Sequence, residues 1–165
     1  MEEDRRRLRA VFDCMVFLQG AAKSAGPAGI CLRLVELGLI DLIVSDDITT
    51  EIADVLKRPL LQRKFPALTA VFVDQFLAAL RSGALLIPNV PRVFEYVRDR
   101  KDEPYINLAL AANADYLVSR DADILDLGNS ANPEGRRFQE RYPNLKIVDP
   151  VDFLRAVRKW ESPTP

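Results

Sequence analysis

The feature that most constrains this chain is a repeated change of hydrophobic period. Short runs rich in Val, Ile and Leu are separated by longer stretches in which apolar residues recur every three or four positions. Strands this short and this uniformly apolar are covered on both faces. Parallel strands meet that condition, because each needs a crossover connection and the crossover is usually a helix. The pattern therefore predicts a parallel α/β domain.

The expected strands are 10–12, 42–45, 85–87, 116–119 and 146–148. One helix starts at Pro27, carries a stripe of Ile30, Leu34 and Leu37, and stops at Gly38. Another is capped by Asp46 or Asp47, buries Ile48, Ile52, Val55 and Leu56, and ends before Pro59, since the residue preceding a proline is pushed out of helical geometry. A third runs from Thr69 through Phe72, Phe76, Leu77 and Leu80 to Gly83. A fourth opens at Asp102 or Glu103 with Pro104 and continues through Ala112. The last follows Asp149-Pro150 and uses Leu154, Val157 and Trp160, the tryptophan serving as its anchor. The polar stretch 128–144 is expected as the longest loop, and 162–165 as a tail. With no linker and no repeat, the 165 residues are expected to form one domain with a core over about 9–160.

Residue counts narrow the chemistry. The chain has no histidine and only two cysteines, Cys14 and Cys31. Catalysis that needs an imidazole is excluded, as are four-cysteine metal sites within one chain. The two thiols are read as small buried apolar groups, and so sparse a cysteine content suits a reducing compartment. Lys and Arg total 23 against 24 Asp and Glu, so the protein is not a polybasic nucleic-acid coat. No run approaches the ~18 apolar residues of a membrane span. A soluble, cytoplasmic protein without a membrane partner is expected.

Any hydrolytic chemistry then rests on carboxylates, hydroxyls or hard cations, and the carboxylates are placed for it. Open parallel sheets bind ligands beyond the carboxyl ends of their strands, where strand order reverses. The first strand ends in Asp13. The second leads through Ser45-Asp46-Asp47 to Glu51, which shares a helix face with Ile48 and Val55. Asp102 lies four residues before Ile106 at the foot of an apolar helix. The fourth strand runs into Ser119-Arg120-Asp121-Ala122-Asp123. For each acid there is a competing structural role, a helix cap or a salt bridge. Gathered together they would repel one another unless a cation neutralised them, and oxygen-only donor sets suit Mg²⁺ or Mn²⁺. Two such ions ~3.5–4 Å apart can stabilise the attacking and leaving oxygens of a phosphodiester displacement without any histidine.

These residues carry a resemblance. Val11-Phe12-Asp13, the run from Ser45 through Glu51 to Leu56, and above all Arg98-Asp99-Arg100-Lys101-Asp102-Glu103-Pro104 followed by Ala114 to Asp123 resemble the acidic motifs of PIN-domain proteins, of the kind found as toxins of bacterial toxin–antitoxin pairs. The 19-residue step from Asp102 to Asp121 suits one helix, a turn and a strand. The resemblance implies a three-layer α/β/α sandwich around a mostly parallel sheet of about five strands. It also implies an Mg²⁺- or Mn²⁺-dependent endoribonuclease acting on single-stranded RNA, with Asp13, Glu51, Asp102 and Asp121 as catalytic and metal-binding acids. Asp123 would be a further ligand and Ser119 would line the site. Met15 stands where the family usually has Asn two residues after the first acid. An antitoxin protein and a second copy of the chain are the partners that the resemblance implies.

Arg98, Arg100, Lys101 and Arg120 are the cations best placed beside the acids to hold RNA, with Arg136 and Arg137 further along. Two other readings stand beside the nuclease. One is a weakly active or non-catalytic binding domain, which Met15 favours. The other is a magnesium-dependent phosphatase or phosphotransferase, against which Met15 again speaks, because a second Asp is expected there.

Overall fold

Each of the five apolar runs forms a strand in the computed structural model, which describes residues 6–162. β1 is Leu8–Phe12, β2 Ile40–Val44, β3 Leu85–Leu86, β4 Tyr116–Val118 and β5 Lys146–Val148. They make one sheet in the order β3-β2-β1-β4-β5, with every pairing parallel. β1 is central: Ala10, Val11 and Phe12 are fully buried, and Val11 and Phe12 register against Leu117 and Val118 of β4. β3 is a two-residue edge whose leucines face solvent, a short edge being one way to limit unwanted pairing. The chain first winds outward through β2 to β3, then returns to build β4 and β5 on the other side of β1. Strand order therefore reverses between β1 and β4, and their carboxyl ends flank the crevice this creates.

Nine α-helices flank the sheet among the described residues, giving a three-layer α/β/α arrangement: α1 Cys14–Ala22, α2 Pro27–Glu36, α3 Asp46–Leu56, α4 Pro59–Lys64, α5 Ala70–Gly83, α6 Glu103–Ala111, α7 Ala122–Leu127, α8 Pro133–Arg141 and α9 Pro150–Glu161. None is long and apolar enough to cross a membrane. Trp160 anchors α9 as expected, its indole N–H donating to the Arg6 carbonyl at 3.2 Å. The tail expected at 162–165 lies outside the described residues beyond Ser162.

Three local expectations are corrected, and two helices, α1 and α4, are added to those expected. The helix after β1 carries no amphipathic stripe, because Cys14–Ala22 is apolar on nearly every side; it packs against α2 and α3, with Phe17 against Phe12 of β1. The stripe of α2 is displaced: Ile30 and Leu37 are exposed, while Ala28, Gly29 and Cys31 face inward. Small residues are needed there because the α1–α2 turn folds back on the helix, and a Cβ at Gly29 would lie 2.2 Å from the Ser24 carbonyl oxygen. Gly38 does end that stretch, at φ +70°. On α5, Phe72 is exposed and stacks on Phe76, so Val73, Leu77 and Leu80 form the buried face. The stretch 128–144 is not a loop throughout, since it contains α8. That helix is polar on all but one side, where Phe138 packs edge-on against Phe94 with centroids 5.1 Å apart. With Phe138 as its one large apolar residue, the helix offers too few apolar positions for a period to be read. Likewise Pro59 does more than end α3; it opens α4 from the first-turn position where its missing N–H costs nothing.

Candidate metal centre

The site begins with the cap of α1. Asp13 ends β1, and one of its carboxylate oxygens accepts the Val16 N–H at 3.0 Å. The other accepts a short hydrogen bond from the Ser119 hydroxyl, and Ser119 Oγ in turn accepts the Asp121 N–H at 2.9 Å. This chain ties the carboxyl end of β1 to the carboxyl end of β4. Asp13 is 3% exposed, and burial pushes its carboxyl up; the bonds from Ser119, Val16 and the Arg120 backbone oppose that, and the Asp121 charge adds to it.

Asp102 is the least compensated acid. It occupies the cap position of α6 but makes no capping bond, and its Oδ2 is buried without a hydrogen-bond partner. The competing role of a helix cap is one its side chain does not fill. Burial, then the charges of Asp121, Asp99, Asp13 and Asp123, push its carboxyl up from 3.8 to about 7. Buried polar atoms nearly always find partners, and an orphaned carboxylate oxygen among other acids is a group that a proton or a bound cation would satisfy.

Asp99, Asp102, Asp121 and Asp123 can each bring one oxygen within 4.8 Å of all the others. Asp99 was not among the expected ligands, although it lies only three residues before Asp102. Its Oδ1 accepts the Lys101 N–H at 3.0 Å, shaping the short 3₁₀ turn Arg100–Asp102 that aims Asp102 inward. The preceding loop has no regular structure and is held to α6 by two buried side chains. Glu103 accepts the Tyr96 N–H and pairs with Arg92, while Asn107 accepts from Val93 and Phe94 and donates to the Phe94 carbonyl. Nothing in hydrophobic periodicity announces these tethers.

Glu51 stands apart from the four-acid set. It is positioned by α3, whose cap is Ser45 rather than Asp46 or Asp47. Its partner is neither Arg nor Lys: Tyr105 of α6 donates its hydroxyl proton to Glu51 Oε2 at 2.9 Å. The charges of Glu51 and Asp13 both bear on Tyr105 and on the half-buried Cys14. Burial is the main reason the Cys14 and Cys31 thiols rise to about 11 and about 12, so neither acts as a thiolate nucleophile.

Local structure also decides the roles of Asp121, Asp123, Arg98 and Met15. Asp121, not Asp123, caps the helix after β4, accepting the Asp123 N–H at 2.8 Å. Asp123 is instead paired with Arg98 at 2.7 Å, and Arg98 also holds Asp126 at 2.6 Å; that guanidinium is occupied by protein carboxylates rather than free for phosphate. Met15 does not continue an extended path from Asp13. It lies on the first turn of α1 and is 42% exposed, because the strand stops at the capping residue. Arg100, Lys101 and Arg120 are exposed around the acids, and Arg136 and Arg137 lie on α8.

The donor set fits a hard divalent cation. It is all carboxylate oxygen, four of its members converge, and one of those has a buried oxygen with no partner. The family described as PIN domain matches residues 9–123, a stretch that runs from β1 to the first turn of α7 and contains Asp13, Glu51, Asp99, Asp102, Asp121 and Asp123. No curated protein matches the chain. Given the match over more than two thirds of its length and an all-parallel sheet with acids at its switch point, the chain belongs to the PIN-domain family.

Proposed function

We propose that this protein is a metal-dependent endoribonuclease that cleaves single-stranded RNA. The observation that carries this reading is the partnerless Asp102 oxygen within a set of converging carboxylates at the carboxyl end of the sheet. PIN domains are generally nucleases, and the residues present fit that chemistry. Asp102, Asp121, Asp99 and Asp123 would hold Mg²⁺ or Mn²⁺, with Asp13 and Glu51 outside that converging set. When bound, the ion supplies charge neutralisation, a lowered pKa for water and stabilisation of charge on phosphate oxygens. The chain itself supplies order. Ser119 fixes the rotamer of Asp13 and the start of the Asp121 turn, and Tyr105 fixes Glu51. The Tyr105 hydroxyl is pushed well above its ordinary value by burial and by Cys14 and the two acids, so it remains a proton donor to Glu51 at every working pH. The toxin role, with an antitoxin as partner and a homodimer as the assembly, belongs to the same proposal.

The test is cleavage of single-stranded RNA by the protein and by Asp102→Asn, with Mg²⁺ or Mn²⁺ and with a chelator as control. Metal-dependent cleavage that the variant loses supports the reading. Equal cleavage by both proteins removes this site from the reaction.

A further inference from the structure

A cavity of about 370 Å³ lies between the end of α1, the start of α2 and the end of α4. Its lining includes Gln19, Lys23, Pro27, Ala28, Phe65 and Arg120. Two links place it at the edge of the site. Arg120 sits between Ser119, which bonds Asp13, and Asp121. Gln19 is six residues beyond Asp13 along α1, about 9 Å at the helical rise. Lys23 and Arg120 are exposed, and among the described residues neither forms an ion pair with a carboxylate. Arg98, on the α7 side of the acids, is occupied twice over. Lys23 and Arg120 thus put unpaired positive charge on the α1–α2 side, where the cavity is, while Arg100 and Lys101 put it beside Asp102.

The contents of that cavity suit a nucleotide. Its volume is at the small end of ligand pockets, which run ~300–1,000 Å³. Its apolar walls, an aromatic ring, an amide and two cations are the combination that binds a base by stacking and its phosphate by charge. Resting on the nuclease reading above, we propose that this cavity is a nucleotide subsite of the acidic centre. Phe65 takes the face of a base, and Lys23 and Arg120 hold phosphate oxygens of the strand that continues into the acids. A base can enter such a cavity only when it is unpaired, so the subsite selects single-stranded over duplex substrate.

The experiment measures binding of a fluorescein-labelled six-nucleotide RNA by fluorescence anisotropy in chelator, where no cleavage occurs. Lys23→Gln and Arg120→Gln should each weaken binding about three- to tenfold and make it less dependent on salt. Phe65→Leu keeps an apolar side chain but removes the ring face, and should weaken binding about fivefold or more, whereas Phe65→Tyr should not. A duplex of the same sequence should bind more weakly and be indifferent to Phe65→Leu. Thermal melts of each variant establish that it is folded. Folded Arg120→Gln and Phe65→Leu proteins that bind the single strand as the natural protein does would overturn the subsite, as would equal losses for single strand and duplex. Cleavage of the same RNA with Mn²⁺ is scored separately. Variant-sensitive binding without cleavage sustains the subsite and removes the nuclease reading; cleavage with variant-insensitive binding does the reverse.

Discussion

Replacing Asp102 by Asn should make the metal-free protein more stable, although the change is made inside a candidate active site. In the folded chain the Asp102 carboxyl is pushed up from 3.8 to about 7 by burial and by four neighbouring acids. Each pH unit of such a displacement is about 1.4 kcal/mol, so the whole of it corresponds to about 4 kcal/mol. Asp99, Asp121 and Asp123 are partly open to water, and screening reduces this to about 2 kcal/mol. The sign follows from proton uptake. Between about pH 4 and pH 7 the folded protein holds a proton on Asp102 that the unfolded chain has lost, so stability falls as pH rises through that window. Asn does not titrate and escapes the fall. At pH 8 in chelator, Asp102→Asn should melt about 4–8 °C above the natural protein; at pH 4 the two should melt together. Mn²⁺ at 100 times its Kd should add about 2.7 kcal/mol to the natural protein and much less to the variant, closing the gap. Differential scanning fluorimetry from pH 4 to 9, with chelator and with Mn²⁺, measures all of this. A variant that melts below the natural protein at pH 8 in chelator, or a gap that ignores pH, would refute the account of Asp102 as an uncompensated acid.

Other expectations follow from individual contacts. Tyr105→Phe removes the hydroxyl that holds Glu51 and should lower kcat for RNA cleavage about tenfold with little change in KM; an unchanged kcat would show that Glu51 needs no such orientation. Asn107→Ala deletes three hydrogen bonds that pin the loop before the acids. It should cost about 2–3 kcal/mol, read as a lower urea midpoint, and weaken Mn²⁺ binding as Asp99 loosens. Asp121→Asn keeps a side chain that can cap α7 but removes a charge from the acid cluster. Its loss of cleavage should exceed that of Asp123→Asn, whose carboxylate is already shared with Arg98, and activity assays in the reverse order would reassign the central ligand.

The sheet was legible in the sequence because its cause is local. A strand covered on both faces must be apolar throughout, so Ala10-Val11-Phe12 or Leu117-Val118 carries its own announcement. The acids of the site were legible for a related reason: carboxylates that end strands or share a helix face with core residues stand out against their surroundings, as Asp13, Glu51, Asp102 and Asp121 do. What tertiary structure alone decided is how those acids divide. Asp99 joins Asp102, Asp121 and Asp123 because a loop without regular structure is tied down by Glu103 and Asn107, whose partners are fixed by three-dimensional proximity rather than by any period. Glu51 is held by a tyrosine 54 residues away, and Arg98 is taken up by Asp123 and Asp126; neither pairing has a sequence signal. Even Met15, two positions from Asp13, depended on whether the chain stayed extended or turned helical at the cap, and a side-chain bond to the Val16 N–H settled that. Periodicity reports which residues must leave water. Which polar group answers which is decided only when the chain has folded and distant side chains meet.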